Sequence, residues 1–400
     1  MSDVDKLQNK LERGELLLPD PERLNVVDLS RALNRLAGGD AYPLSRGSAR
    51  IVDLVGQSDH LIFILADGLG LNLIEKLPDR SFLARHLVAE LRSIFPSTTA
   101  SVLTTFATGA WPAQHGVTGQ WTHLAEIRGA AALLPFAARS GGRLLLHLGV
   151  TVEGAFPVPA SMSALSRDVL ALLPSRIVSS VSSAYFSGQQ ARIGYESLAD
   201  VVRFIVARVA DATAPTYTYL YSPRIDTECH YLGLGHPDVL AIVNELSRIV
   251  EQLANGLKGR ARIVVAADHG MLDAPVSARH GFKPSADIFD ALRFGPSGDD
   301  RVLYFHLREG ADERFRRRIT AQYGDRFFVI TIAEAEQLRL FGPDPIALNV
   351  RDRFGDLVMI SSGEDMIEYA PGGHVGHRVD LNSFHSGLSP DEMRVPLIVI

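Results

Sequence analysis

Five short segments of the chain place ionisable or hydroxyl side chains directly after an apolar run or a turn. They are ILADGLG with Asp67, FPSTTAS with Thr98 and Thr99, RIDTECH with Asp226 and His230, AADHGM with Asp268 and His269, and NSFHSGLSP with His385. Carboxylates and imidazoles ligate divalent metals, and a mixed Asp/His set suits zinc first, with manganese or iron as alternatives. Asp226 and His230 are four residues apart, so on a helix both lie on one face and can serve one ion. Asp268 and His269 follow a buried run, where two adjacent polar groups are costly unless something satisfies them. Each segment also has a bland reading: an Asp-Gly turn at Asp67, a helix N-cap at Thr98-Thr99, a chance spacing at Asp226 and His230. Their order, repeated on one strand pattern, argues for a shared site.

The elements that must position these residues read as alternating strands and helices. HLIFILA, residues 60 to 66, is a short apolar run that predicts a buried strand ending at Asp67-Gly68. ELRSIF is a second candidate strand, TYTYLYS a third, and RIVVAA a fourth. PSTTASVLTTFATG reads as a turn into a helix, with entry at Pro96-Ser97 and exit at Gly109. HPDVLAIVNELSRIVEQLANGLKG is a long amphipathic helix. This alternation predicts an α/β fold, a mostly parallel central sheet with helices on both faces. In such a sheet ligands bind beyond the carboxyl ends of the strands, where Asp67 and Asp268 would converge. The expected organisation is a helical lead-in over residues 1–56, a catalytic core over 57–283 and 351–400, and a small α+β insert or cap over 284–350.

Bulk properties narrow the class. The chain has 400 residues, 46% of them hydrophobic, with a formal net charge of -6. The mildly acidic balance gives no support to a nucleic-acid-binding surface. The single cysteine, Cys229, rules out an intrachain disulfide and a Cys-rich zinc module. The polar N-terminal stretch lacks the apolar core of a secretory signal, and no apolar run is long enough to span a bilayer. The expectation is a soluble, cytoplasmic protein with no membrane partner.

In order and spacing the five segments resemble the alkaline phosphatase superfamily, and within it the type I phosphodiesterase/nucleotide pyrophosphatase family. The resemblance covers roughly residues 57–283 and 352–400 and implies an alkaline phosphatase-like core with two divalent metal ions. One metal site would be Asp226, His230 and His385. The other would be Asp67, Asp268, His269 and the nucleophile hydroxyl. In this superfamily the nucleophile lies nine residues before the Thr of a Thr-Gly pair; Thr108-Gly109 then selects Thr99, leaving Thr98 a capping or structural residue. The implied activity is hydrolysis of a small phosphorylated substrate, a nucleotide-like or other phosphodiester, through a covalent phospho-threonine intermediate. One departure concerns substrate binding. Phosphodiesterases of the family often carry Asn five residues after the His of the following HG pair, and here that position, counted from His115, is Gln120. Its amide can still donate to a phosphate oxygen. PSTTAS lacks the C/S-x-P-x-R setting of sulfatases, which disfavours sulfate esters. A phosphomonoesterase, a phosphonate hydrolase, and a metal-binding protein without turnover remain alternatives.

Other residues of the same types read as structural. His115 lies in a turn, His236 beside a helix start, and His280 with Arg279 and Lys283 in a solvated loop. His374 and His377 fall in a Gly-rich loop, Cys229 points away from the Asp226–His230 face, and Arg314 to Arg318 form a solvated helix face.

Overall fold

Apolar runs with few interruptions build the centre of the molecule. In the computed structural model, which describes residues 2–282, 286–369 and 381–400, His60–Ala66, Thr216–Ser222 and Ala261–Ala266 are strands buried along nearly their whole length. Burial on both faces is what a helix-covered parallel strand requires. They are the middle of a seven-stranded sheet ordered Leu87–Arg92, Arg394–Val399, Ala261–Ala266, His60–Ala66, Thr216–Ser222, Asp168–Pro174 and Ala191–Tyr195. The last five pair in parallel, and Arg394–Val399 runs antiparallel to both its neighbours. The mostly parallel sheet expected from the sequence is therefore present. Ala66 is level with Ser222, and Leu65 with Ala266. Three adjacent strands thus end side by side, just before Asp67, Pro223 and Asp268.

Helices cover this sheet. Val26–Leu36 packs on Arg46–Val55 and on Thr99–Thr108, while Pro237–Leu257 packs on Leu198–Asp211 and Arg224–Leu232. The lead-in is divided between two cores. Val26, Leu29 and Ile51 join the core of the main sheet, whereas Leu7, from the helix Asp3–Glu12, packs with Phe328 and Ile330.

A second seven-stranded sheet stands beside the first, ordered Phe327–Thr331, Leu357–Ser361, Val302–Phe305, Ser297–Asp299, Trp121–Leu124, Gly129–Ala132 and Ala137–Ala138. All its pairings are antiparallel. Segment 284–350 supplies three of these strands. The others come from 121–138 and 357–361, stretches that the sequence pattern groups with the core. Among the described residues no helix is long and apolar enough to cross a membrane.

Candidate metal centre

The site grows from the carboxyl ends of the three adjacent strands. Asp67 N–H donates to the Ser222 carbonyl at 2.9 Å, and Asp226 N–H donates to the Asp67 carbonyl at 3.0 Å. These bonds hold the start of the helix Arg224–Leu232 against the end of His60–Ala66. Gly68 makes the approach possible. Its φ is +74°, and a Cβ there would lie 2.8 Å from Asp226 Cα. Asp226 and His230 then fall one helical turn apart on the same face, as their spacing predicts.

Two groups of side chains meet here. In the first, His269 Nε2 lies 3.5 Å from Asp67 Oδ1 and 3.5 Å from Asp268 Oδ2. Thr99 Oγ is 3.2 Å from the same nitrogen. In the second, Asp226 Oδ1 lies 3.4 Å from His230 Nε2 and 3.7 Å from His385 Nε2. The rings of His269 and His385 stack at 3.8 Å, so the two groups are contiguous. Six of the seven residues expected as ligands thus form two compact triads, and Thr99, the seventh, touches the first.

The arrangement fits a pair of cations on two independent grounds. First, among the described residues Asp67 Oδ1, Asp268 Oδ2 and Asp226 Oδ1 are buried and have no hydrogen-bond partner, although the carboxylates of Asp67 and Asp268 are otherwise held. Asp67 Oδ2 accepts from the Tyr221 hydroxyl, and Asp268 Oδ1 accepts from Gly68 N–H and His269 N–H at 3.1 and 3.0 Å. Each acid presents its one unsatisfied oxygen to the imidazoles. Second, every imidazole has its far nitrogen on a main-chain carbonyl: His269 on Gly270 at 3.1 Å, His230 on Ser383 at 2.7 Å, His385 on Ser97 at 3.1 Å. A carbonyl only accepts, so Nδ1 carries the proton and Nε2 keeps a lone pair turned inward, the arrangement that orients metal-ligating histidines.

Electrostatics agree. Burial, with the carboxylates of Asp268 and Asp226, pushes the Asp67 carboxyl well above the ordinary range. Burial also works to raise Asp226, but the imidazoles of His230, His385 and His269 outweigh it and hold that group low. Burial works to lower His230, and Asp226 lifts it above the ordinary value. His385 is pushed down to about 3 by burial and by His269. Divalent cations would resolve the repulsion among the carboxylates.

Thr99 opens the helix Thr99–Thr108, whose first backbone bond runs from Val102 N–H to the Thr98 carbonyl. The N–H groups of the first turn are thereby left for other acceptors, a favourable place for an anion. Thr98 holds the N-cap position, but its hydroxyl makes no cap bond. It donates to Asp299 Oδ2 at 2.7 Å, across to the second sheet. Gln120 N–H donates to the same oxygen at 2.9 Å, which ties the Gln120 backbone to the residue next to Thr99.

Asp299 and Tyr221 are supporting residues that sequence reasoning missed. TYTYLYS was singled out only as a candidate strand, and the segment PSGDDR carries no motif that marks Asp299. Tyr221 also lines a cavity of about 430 Å³ with Leu103, Leu173, Phe186, Tyr219 and Arg176. His115 is fully buried between Thr105 Oγ and Val117 N–H, and burial pushes it down to about 3. His236 caps Pro237–Leu257 through its ring nitrogen. His280 is paired with Asp365 at 2.7 Å rather than solvated. Cys229 is buried. In the helix Asp312–Tyr323, Phe315 faces the core between exposed Arg314 and half-buried Arg316. Lys283, His374 and His377 lie outside the described residues.

Residues 61–126 and 145–373 match the model of the family of type I phosphodiesterases/nucleotide pyrophosphatases. No curated protein matches the sequence. Among solved structures, murine ectonucleotide pyrophosphatase/phosphodiesterase 5 superposes with a TM-score of 0.63 at 13% identity, covering 84% of this chain and 87% of the other. An inactive threonine-to-alanine variant of that protein in complex with AMP matches equally well. The human form matches at 13% identity, over 85% of this chain and 87% of that one. At such identity the likeness shows the fold.

Proposed function

The chain belongs to the type I phosphodiesterase/nucleotide pyrophosphatase family, metal-dependent hydrolases of phosphate esters, and from that premise we propose that it cleaves a small phosphodiester or pyrophosphate with Thr99 as nucleophile. The observation that carries this reading is the meeting of three orphaned carboxylate oxygens, three imidazoles with inward lone pairs, and one hydroxyl at a helix N-terminus.

Asp67, Asp268, His269 and Thr99 would hold one divalent cation, and Asp226, His230 and His385 the other. When bound, such ions supply charge neutralisation for the phosphate and acidify the threonine hydroxyl. Zinc suits the donor set best. The chain's own residues do the positioning. His269 Nε2 directs Thr99 Oγ, and the helix start offers N–H groups to a non-bridging oxygen. Gln120, braced through Asp299, would present its amide to the same phosphate. Attack of Thr99 Oγ on phosphorus forms the new P–O bond as the ester oxygen leaves, giving a phospho- or nucleotidyl-threonine that water then hydrolyses. The cavity beside Tyr221 suits an apolar or aromatic substituent of the ester, and Arg176 at its wall suits an added negative charge. AMP, found in complex with the murine relative, is a substituent of that size and chemistry.

Turnover of a bis-aryl phosphate, with a mono-aryl phosphate for comparison, tests the reading. Thr99→Ala is expected to keep its metal content and lose at least about 1000-fold in kcat. A folded Thr99→Ala protein with near-wild-type turnover would remove the nucleophile assignment. Preference for the mono-ester would favour the phosphomonoesterase alternative.

A further inference from the structure

A third group of metal-ligating side chains meets on the second sheet. His123 sits on the strand Trp121–Leu124, His306 just past Val302–Phe305, and Asp352 in the turn Arg351–Arg353. The two imidazole centroids are 4.0 Å apart, and His123 Nε2 is 3.5 Å from Asp352 Oδ2. One ligand atom from each residue lies within 4.8 Å of the other two. That is close enough for small side-chain rotations to bring all three onto one ion.

Both histidines are buried, at 1% and 0% exposure, yet their polar atoms are not satisfied. Among the described residues, neither ring nitrogen of His123 has a hydrogen-bond partner, and neither does Nδ1 of His306. His306 Nε2 donates to the Asp352 carbonyl at 2.5 Å, which makes Nδ1 the lone-pair nitrogen. Buried polar groups are normally paired, so unsatisfied nitrogens on two adjacent imidazoles call for a partner. The partner must accept lone pairs from two imidazoles and tolerate a carboxylate, which describes a cation. Two arginines lie near, but each is engaged. Arg293 pairs with Asp356 at 3.2 Å, and Arg353 donates to the carbonyls of Ala155 and Gly154. Burial lowers both imidazoles, His123 to about 4, which favours the neutral form that ligates a cation.

We propose that His123, His306 and Asp352 form a third metal site, separate from the Thr99 centre, which binds a divalent first-row transition ion, zinc above the others. Two imidazoles and one carboxylate leave a fourth tetrahedral position for water, on the side where Asp352 is 58% exposed. The ion would cross-link the strand carrying His123, the end of the strand before His306, and the turn at Asp352. It would therefore fasten the second sheet close to Gln120.

Zinc titration of the metal-stripped, full-length protein against a chromophoric chelator tests this, with metal content measured after dialysis. Wild type is expected to hold one more equivalent of zinc than His123→Phe, whose ring fills the same space beside Phe294. Asp352→Asn changes an exposed side chain and should weaken that same equivalent by at least about tenfold. Equal zinc stoichiometry and affinity in wild type and folded His123→Phe would overturn the proposal. Should His123→Phe fail to fold, unchanged zinc binding by Asp352→Asn would overturn it instead. Because the result is a difference between proteins that share the Thr99 centre, it does not depend on what that centre binds.

Discussion

Individual side chains at the Thr99 centre are held by bonds that decide their protonation. His230, His269 and His385 each give their Nδ1 proton to a main-chain carbonyl, so Nε2 is the basic position in all three. Asp67 and His230 both titrate above their ordinary values, Asp67 through burial and neighbouring carboxylates, His230 through Asp226 against the pull of burial. A cation competes with the protons these two groups retain, whereas Asp226 and His385 are already deprotonated at neutral pH. Metal uptake should therefore release protons, and affinity should climb as pH rises toward the raised values. Calorimetric titration in buffers of different ionisation enthalpy measures the number released. Asp67→Asn should lower it, and zero release across roughly pH 5 to 8 would contradict the ligand set. The sign for folding follows from linkage. The folded, metal-free chain keeps the Asp67 proton to higher pH than the unfolded chain, so Asp67 subtracts stability as pH rises above the ordinary carboxylate range. Asp226, held low, adds stability above that range and loses it as pH falls. Asp268 and His269 stood out in the sequence because a polar pair after a buried strand needs a partner, whereas Asp67, Asp226, His230 and His385 were expected as ligands through the family resemblance. Tyr221 and Asp299 were not, since a tyrosine on a strand and a lone acid each have an ordinary explanation.

Among elements, the strand end at Asp67 and the helix at Asp226 are joined through one glycine. Gly68 has φ +74°, and any Cβ there would meet Asp226 Cα at 2.8 Å and Cβ at 2.9 Å. The left-handed backbone alone costs a non-glycine residue about 1–2 kcal/mol. The contact is with backbone, so relief requires the helix start to move. Gly68→Ala is thus expected to lower stability by roughly 1–3 kcal/mol and to weaken metal retention and kcat by more than that loss explains. Denaturant unfolding and metal content on the same preparation separate the two effects. Loss of stability with full metal retention would show that the approach does not set the site. The alternation of strands and helices made the parallel sheet readable, since each apolar run is followed by a periodic helix. The second sheet was hidden for a physical reason. Its strands are short, one is the alanine-rich Gly129–Ala132, and the pairing that joins its two halves, Gly298 with Trp121, links positions far apart in the chain. Local pattern carries no record of such pairing, so 284–350 reads as a separate insert although its strands complete a sheet begun at Trp121.

The two sheets are tied together by a fully buried ion pair that also frames the His385 loop. Arg301, which precedes the strand Val302–Phe305, contacts Glu392 at 2.7 Å, and neither side chain is exposed. Glu392 Oε1 accepts from Gly387 N–H at 2.7 Å and Oε2 from Ser389 N–H at 3.1 Å, while its main-chain carbonyl accepts from Gly270 N–H at 2.9 Å. One acid thus holds the turn after His385 and the turn after His269. Arg301 N–H adds a bond to Ser386 Oγ at 3.1 Å. Removing one partner of a buried pair leaves an uncompensated charge, so Arg301→Met should lose roughly 3–5 kcal/mol. Replacing both partners with apolar groups is often close to neutral. Arg301→Met with Glu392→Leu should therefore recover part of the stability, less the cost of the main-chain groups the pair had satisfied. It should not recover metal affinity, because the Gly387 and Ser389 N–H groups then lack the acceptor that sets His385. Unfolding midpoints and zinc titrations on wild type, single and double variants give both readouts. If affinity returned together with stability, the pair would serve only to join the sheets. If it stayed low while stability returned, the same pair would also fix the geometry of the metal centre.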